Sequence, residues 1–123
     1  MLSYMKVEGM TGTGTGKYFG WIVLERFTTS SSHPNEITTT KRADNVSAML
    51  YRFFTQDSDL KKVIIHFVKG DAKNPVPYFI WELEGAWLSY WGFSEPGDDG
   101  PVENLTIGFA TATEKSPGDA KRG

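Results

Sequence analysis

Apolar residues in this chain alternate with polar ones more often than they recur at helical spacing, and that rhythm predicts strands. Leu2 to Val7 is a short first strand. Phe19 to Phe27 is a second. Phe19, Trp21, Val23 and Phe27 share one face, with Ile22 and Leu24 opposite, so both faces should be covered. Glu36 to Lys41 is a threonine-rich strand with an exposed face. In Lys61 to Lys69, Val63, Ile65 and Phe67 alternate with Ile64, His66 and Val68. Tyr78 to Glu84 and Ala86 to Phe93 are aromatic strands meeting at Gly85, where a glycine suits a tight corner. Val102 to Thr113 closes the series, with Leu105, Ile107 and Phe109 on one face.

One segment has the other period. Ser47 is suited to an N-cap, and Leu50, Phe53 and Phe54 follow at spacings of three and four, with Arg52 and Gln56 on the far side. This predicts a helix that packs through Leu50, Phe53 and Phe54 and ends at Asp57-Ser58-Asp59. The connections carry turn chemistry. Gly9 to Gly16 is expected to be a flexible glycine-rich hairpin loop, Thr28 to Pro34 a polar loop, and Gly70 to Pro77 and Glu95 to Pro101 turns. The elements sum to a mainly β domain over residues 1–113, an antiparallel β-barrel of about seven strands with one flanking α-helix. Residues 114–123, apolar only at Ala120, are expected to be a disordered tail.

Composition narrows the function. At 123 residues the chain is one domain and needs no metal or disulfide to fold. Its aromatic content of 14% supplies large apolar areas suited to strands. The 13 basic and 15 acidic residues are interspersed, which argues against nucleic acid as a partner. Without cysteine there is no thiol catalysis, disulfide or thiolate metal site. No apolar stretch approaches the roughly 20 residues of a membrane span, so no membrane insertion is expected. Met1 to Gly9 lacks the pattern of a signal peptide, and the chain is expected to be made in the cytoplasm.

Candidate chemistry is thin. Gly12-Thr13-Gly14-Thr15-Gly16-Lys17 invites a phosphate-loop reading. The glycine spacing is wrong, Tyr18 follows the lysine, and a strand follows in place of a helix. His33 and His66 are too few for a histidine metal site, and His66 is expected on the polar face of its strand. Glu82 and Glu84, with Glu103 similar in pattern, are the carboxylates a hydrolase would use, against a commoner role as surface charge. Trp81, Trp87, Tyr90 and Trp91 put bulk on both faces of their strands, which calls for core packing first, a subunit interface second and carbohydrate stacking third. No catalytic, cofactor-binding or metal residue is assigned, and no cofactor is expected.

The order of the elements resembles the haemolysin-coregulated protein (Hcp) family, the tube proteins of type VI secretion systems, across nearly the whole chain. Lys6-Val7-Glu8-Gly9 leading to Gly20-Trp21-Ile22-Val23-Leu24 is similar to the family's opening hairpin. Glu36-Ile37-Thr38-Thr39-Thr40-Lys41 with Asp44 is similar to its next strand, and Ser47 through Phe54 to its helix. Lys61-Lys62-Val63-Ile64-Ile65-His66-Phe67, then Tyr78 to Leu83 and Leu88-Ser89-Tyr90, resemble its long strands, and Val102 to Phe109 its last. The resemblance implies a ring-forming, non-enzymatic subunit: a homo-hexamer working with tube, sheath, spike and effector proteins, secreted by the type VI route, with small effectors in its pore. Thr38 and Thr40 are candidates for the pore face. Two departures bear on assembly. Thr28 to Pro34 is short where many tube proteins have a long loop that reaches towards a neighbouring ring, and Ala110-Thr111-Ala112-Thr113-Glu114 is small and polar where many members end in aromatics. Other readings are a ligand-binding barrel with an aromatic pocket, or a hydrolase using Glu82 or Glu84.

Overall fold

The computed structural model describes residues 2–69, 74–95 and 100–116. Its strands are β1 (Leu2–Val7), β2 (Ile22–Leu24), β3 (Arg26–Ser30), β4 (His33–Arg42), β5 (Asp59–Lys69), β6 (Val76–Ser94), β7 (Val102–Gly108) and β8 (Thr111–Lys115). One helix, α1 (Ser47–Thr55), lies between β4 and β5. All pairing is antiparallel, in the order β2-β1-β5-β6-β7-β4-β3, with β8 paired to β6. The pairing ladder is not a complete ring, yet the two ends of that order are one stretch of chain. β2 pairs with β1, β3 pairs with β4, and Glu25 between them donates its N–H to the Thr40 carbonyl at 2.7 Å. The sheet thus curls into the expected barrel, leaving few open strand edges.

Period-two alternation fills the interior. Met5, Ile22, Leu24, Ile37, Val63, Ile65, Leu83, Leu105 and Ile107 are all fully buried. Each such side chain stabilises the fold by about 1.5–3 kcal/mol through removal of apolar surface from water. Phe27, Phe67 and Trp81 extend the packing, with Phe27 edge-on to Phe67 at 4.5 Å between ring centres. α1 adds Leu50, fully buried, while Phe53 and Phe54 pack half-buried against the same core.

The two aromatic strands are one 19-residue strand, β6, that bends at Gly85. Gly85 has φ +61°, and opposite it Lys61, at φ +65°, marks a register shift in β5. A Cβ at Gly85 would stand 2.9 Å from the Ala110 Cβ, so a side chain there meets both a backbone penalty and a clash. At this corner β6 exchanges partners. β7 pairs with its second half, β8 with residues 80–84, and the last expected strand is therefore two.

Other boundaries moved for physical reasons. The expected second strand divides into β2 and β3 because its halves pair with different neighbours, and Phe19 lies outside both, 80% exposed. Thr28 to Pro34 is mostly strand: β3 and β4 form a tight hairpin with only Ser31 and Ser32 at the turn. Ser47 is in the first turn of α1 and Val46 holds the N-cap position, with no side-chain cap. Glu114 and Lys115, placed in the tail from sequence, pair with Trp81 and Ile80. The expected turn residues 70–73 and 96–99, and the tail residues 117–123, lie outside the described residues.

Leu50→Ala should lower unfolding free energy by about 2–5 kcal/mol, the loss for a fully buried leucine. Phe53→Ala should fall below the roughly 3–5 kcal/mol of a buried phenylalanine, because Phe53 keeps partial contact with water. Denaturant titration of both variants checks the ranking.

Candidate functional site

Among the described residues the inner face of the barrel carries one charged pair. Lys41 on β4 and Glu103 on β7 are register partners, and both side chains are 0% exposed. Lys41 Nζ donates to Glu103 Oε1 at 2.7 Å, to Asp44 Oδ1 at 2.8 Å and to the Arg42 carbonyl at 2.9 Å, using all three ammonium protons. Glu103 Oε1 also accepts from Ser47 Oγ at 2.8 Å, and its Oε2 accepts from Trp91 Nε1 at 2.6 Å. The Ser47 hydroxyl in turn accepts the Asp44 N–H at 2.9 Å, and Asp44 Oδ1 accepts the Val46 N–H at 3.0 Å. One connected cluster therefore joins β4, β7, β6 and the start of α1. Its members are satisfied, as a buried charge requires. It is a structural clamp, with no open position for a substrate.

Beside the clamp is an apolar groove of about 480 Å³, lined by Ala43, Ala48 and Tyr51 on one side and Trp91 and Phe93 on the other. Tyr51 stands edge-on to Trp91 at 4.8 Å, and Trp91 lies 4.6 Å from Phe93. Tyr51 and Phe93 are about half exposed, at 47% and 50%. Exposed aromatics gathered in a concave site mark a contact surface. Across the outer face of β6 and β7, Trp87 covers Gly108, and Tyr90 lies against Gly92. Next to them is a hydroxyl strip, with Thr38 Oγ1 3.3 Å from Thr106 Oγ1 and Thr40 Oγ1 donating to Asn104 Oδ1 at 3.3 Å.

The glycine loop is a packed element and not a flexible one. Gly12 donates to the Gly20 carbonyl at 2.7 Å and Gly14 to the Trp21 carbonyl at 2.8 Å. A Cβ on Gly12 would clash with the Trp21 carbonyl oxygen and one on Gly14 with that of Tyr18, so the spacing answers close chain approach rather than phosphate. The loop ends in a single 3-10 turn at Gly16–Tyr18. Tyr18 stacks on Tyr4 with ring centres 4.2 Å apart and shares a 3.0 Å hydrogen bond with His66 Nδ1. His66 thus sits among Tyr18 and Trp21 rather than on a polar face. Burial holds its imidazole below the ordinary 6.5, with Glu82 opposing, and burial followed by Tyr4 pushes the Tyr18 phenol above 10.

The remaining sequence candidates do not converge. Glu82 lies between Lys62 at 3.9 Å and Lys115 at 3.6 Å, Glu84 is exposed, and Glu103 is inside the barrel. His33 is an exposed residue of the β3–β4 hairpin, 3.2 Å from Ser32 Oγ. Among the described residues no group of three or more His, Cys, Asp or Glu is placed to hold a metal. Trp81 and Trp91 pack on the core while Trp87 and Tyr90 face outward, so the four do not line one pocket. Sequence reasoning missed the clamp, although its signal is visible: Glu103 falls in register with Leu105, Ile107 and Phe109, a charge on an apolar face.

Residues 4–115 match the family model described as type VI secretion system effector, Hcp. Among solved structures, a type six secretion system protein is 19% identical with TM-score 0.80, over 94% of this chain and 83% of that one. Hcp1 from Salmonella typhimurium is 15% identical with TM-score 0.81, over 94% and 84%. Hcp3 from Pseudomonas aeruginosa is 16% identical with TM-score 0.67, over 94% and 97%. These likenesses are of fold. Comparison with curated protein sequences finds no match.

Lys41→Met leaves Glu103 buried without its cation and should lower unfolding free energy by about 3–5 kcal/mol. The double variant Lys41→Met, Glu103→Leu should lose clearly less, because no charge is then stranded. Equilibrium unfolding of the single and double variants is the check.

Proposed function

The chain belongs to the Hcp family of type VI secretion system effectors, and we propose that it acts as a structural ring-forming subunit of a type VI secretion tube. The observation that carries this reading is the match of the family model to residues 4–115, together with a barrel that agrees with solved Hcp structures over nearly its full length. The interior supports it too. Among the described residues it is filled by buried apolar side chains, which leaves surfaces for assembly.

The subunit associates with itself as a hexamer, and it meets sheath, spike and effector proteins through the assembled tube. We assign the pore wall to the outward face of β4 and β7. Thr38, Thr40, Asn104 and Thr106 make a hydroxyl- and amide-bearing strip there, suited to passing small effectors without gripping them. The route out of the cell is the secretion system itself. Among the described residues no helix is long and apolar enough to cross a membrane.

Ring stacking is weak in this reading. The hairpin of β3 and β4 turns at Ser31 and Ser32, and so short a turn buries too little area to offset the entropy lost when rings associate. Analytical ultracentrifugation at micromolar concentration should give a hexamer or another closed ring, and negative-stain microscopy should show single rings or short stacks. Monomer alone at high concentration contradicts the ring. Long tubes without a partner contradict the stacking argument.

A further inference from the structure

A closed ring needs two different patches on each subunit, placed so that one meets the other on the neighbour. The chain presents such a pair. One is the groove of Ala43, Ala48, Tyr51, Trp91 and Phe93. The other is Phe19, at 80% the most exposed large apolar side chain among the described residues. Phe19 precedes β2, while the groove is built on the last part of β6 and on α1. In the strand order β6 stands three strands from β2 through β5 and β1, and three from β3, the continuation of β2, through β7 and β4. Phe19 stands in water in the free subunit, so it does not fill its own groove.

The knob is held in advance. Phe19 donates its N–H to the Gly16 carbonyl at 3.2 Å, its neighbour Tyr18 is stacked on Tyr4, and Gly20 donates to the Gly14 carbonyl at 3.1 Å. An aromatic anchor on a fixed loop loses little freedom on docking. The rims carry opposite charge as well. Lys17 is exposed two positions before Phe19, and Glu95 is exposed two positions after Phe93.

We propose that Phe19 of one subunit inserts between Tyr51 and Phe93 of the next, with Lys17 facing Glu95, and that this head-to-tail contact closes the ring. The inference rests on the ring reading above and names its contact. It also accounts for the Gly12 and Gly14 spacing, which places the bonds that hold the knob.

The test compares wild type, Phe19→Ala, Phe93→Ala, Lys17→Glu, Glu95→Lys and the double reversal by sedimentation velocity across a dilution series, with thermal melting as a folding control. At dilutions where both are monomeric, Phe19→Ala should melt as wild type does, because the phenyl group of the free subunit is already in water. It should shift subunit association by about 30-fold or more, as loss of a central aromatic anchor does. Each single reversal should weaken association, and Lys17→Glu with Glu95→Lys should restore it. Rings that form equally well from both alanine variants overturn the proposal, leave the ring reading standing, and free the groove for a different protein. Variants that lose stacks but keep ring mass place the contact between rings and also overturn it. A wild type that never associates removes the ring reading and this contact together.

Discussion

Lys41 and Glu103 hold opposite charges 2.7 Å apart with neither side chain reaching water. Stripping water from each ion costs several kcal/mol, and mutual attraction offsets this only when every remaining donor and acceptor is matched. Here the ammonium has three acceptors and the carboxylate three donors. That demand places the surroundings. Ser47 must bring the first turn of α1 to Glu103, Trp91 must turn its indole inward, and Asp44 must bend the chain before the helix. The pair adds little net stability over a well-packed apolar alternative. Its effect is to admit one arrangement of β4, β6, β7 and α1.

The aromatic groove follows from that arrangement. Trp91 is held by Glu103, Tyr51 leans on Trp91 from the helix, and Phe93 packs along the other side. The glycine loop is fixed by a second, smaller cluster in which Tyr4, Tyr18 and Val68 are buried with Trp21 and Val23 against them. Two polar anchors inside apolar clusters, Lys41–Glu103 and Tyr18–His66, thus set two separate surfaces of one small barrel. A subunit whose work is assembly needs this kind of rigidity, because a ring closes only when the angle between its two contact surfaces is fixed.

Much of the fold was legible in the sequence because alternation is local. Val63, Ile65, Leu105 and Ile107 announce their strands and their buried face without knowledge of any partner. The helix was legible from Leu50, Phe53 and Phe54 for the same reason. What stayed hidden depends on distant chain. Thr28 to Pro34 looks like a loop since its polar residues show no alternation, and only pairing with β4 makes strand of it. Gly12 and Gly14 look flexible until the Trp21 and Tyr18 carbonyls lie against them. His66 looks polar-facing until Tyr18 folds over it from 48 residues away. The buried ion pair spans 62 residues, and neither Lys41 nor Glu103 alone reveals the other.

Amide hydrogen exchange on Glu103→Gln, compared with wild type, tests most directly whether the ion pair positions the helix and groove. If it does, protection falls selectively in α1 and in the paired stretches of β4 and β7, while β1 and β5, which supply none of the cluster's hydrogen bonds, exchange as before. Uniform loss across the barrel would show that Glu103 supports only overall stability. Unchanged exchange in α1 would contradict the positioning role of the ion pair, because the helix would then be placed by Leu50 and its apolar neighbours alone.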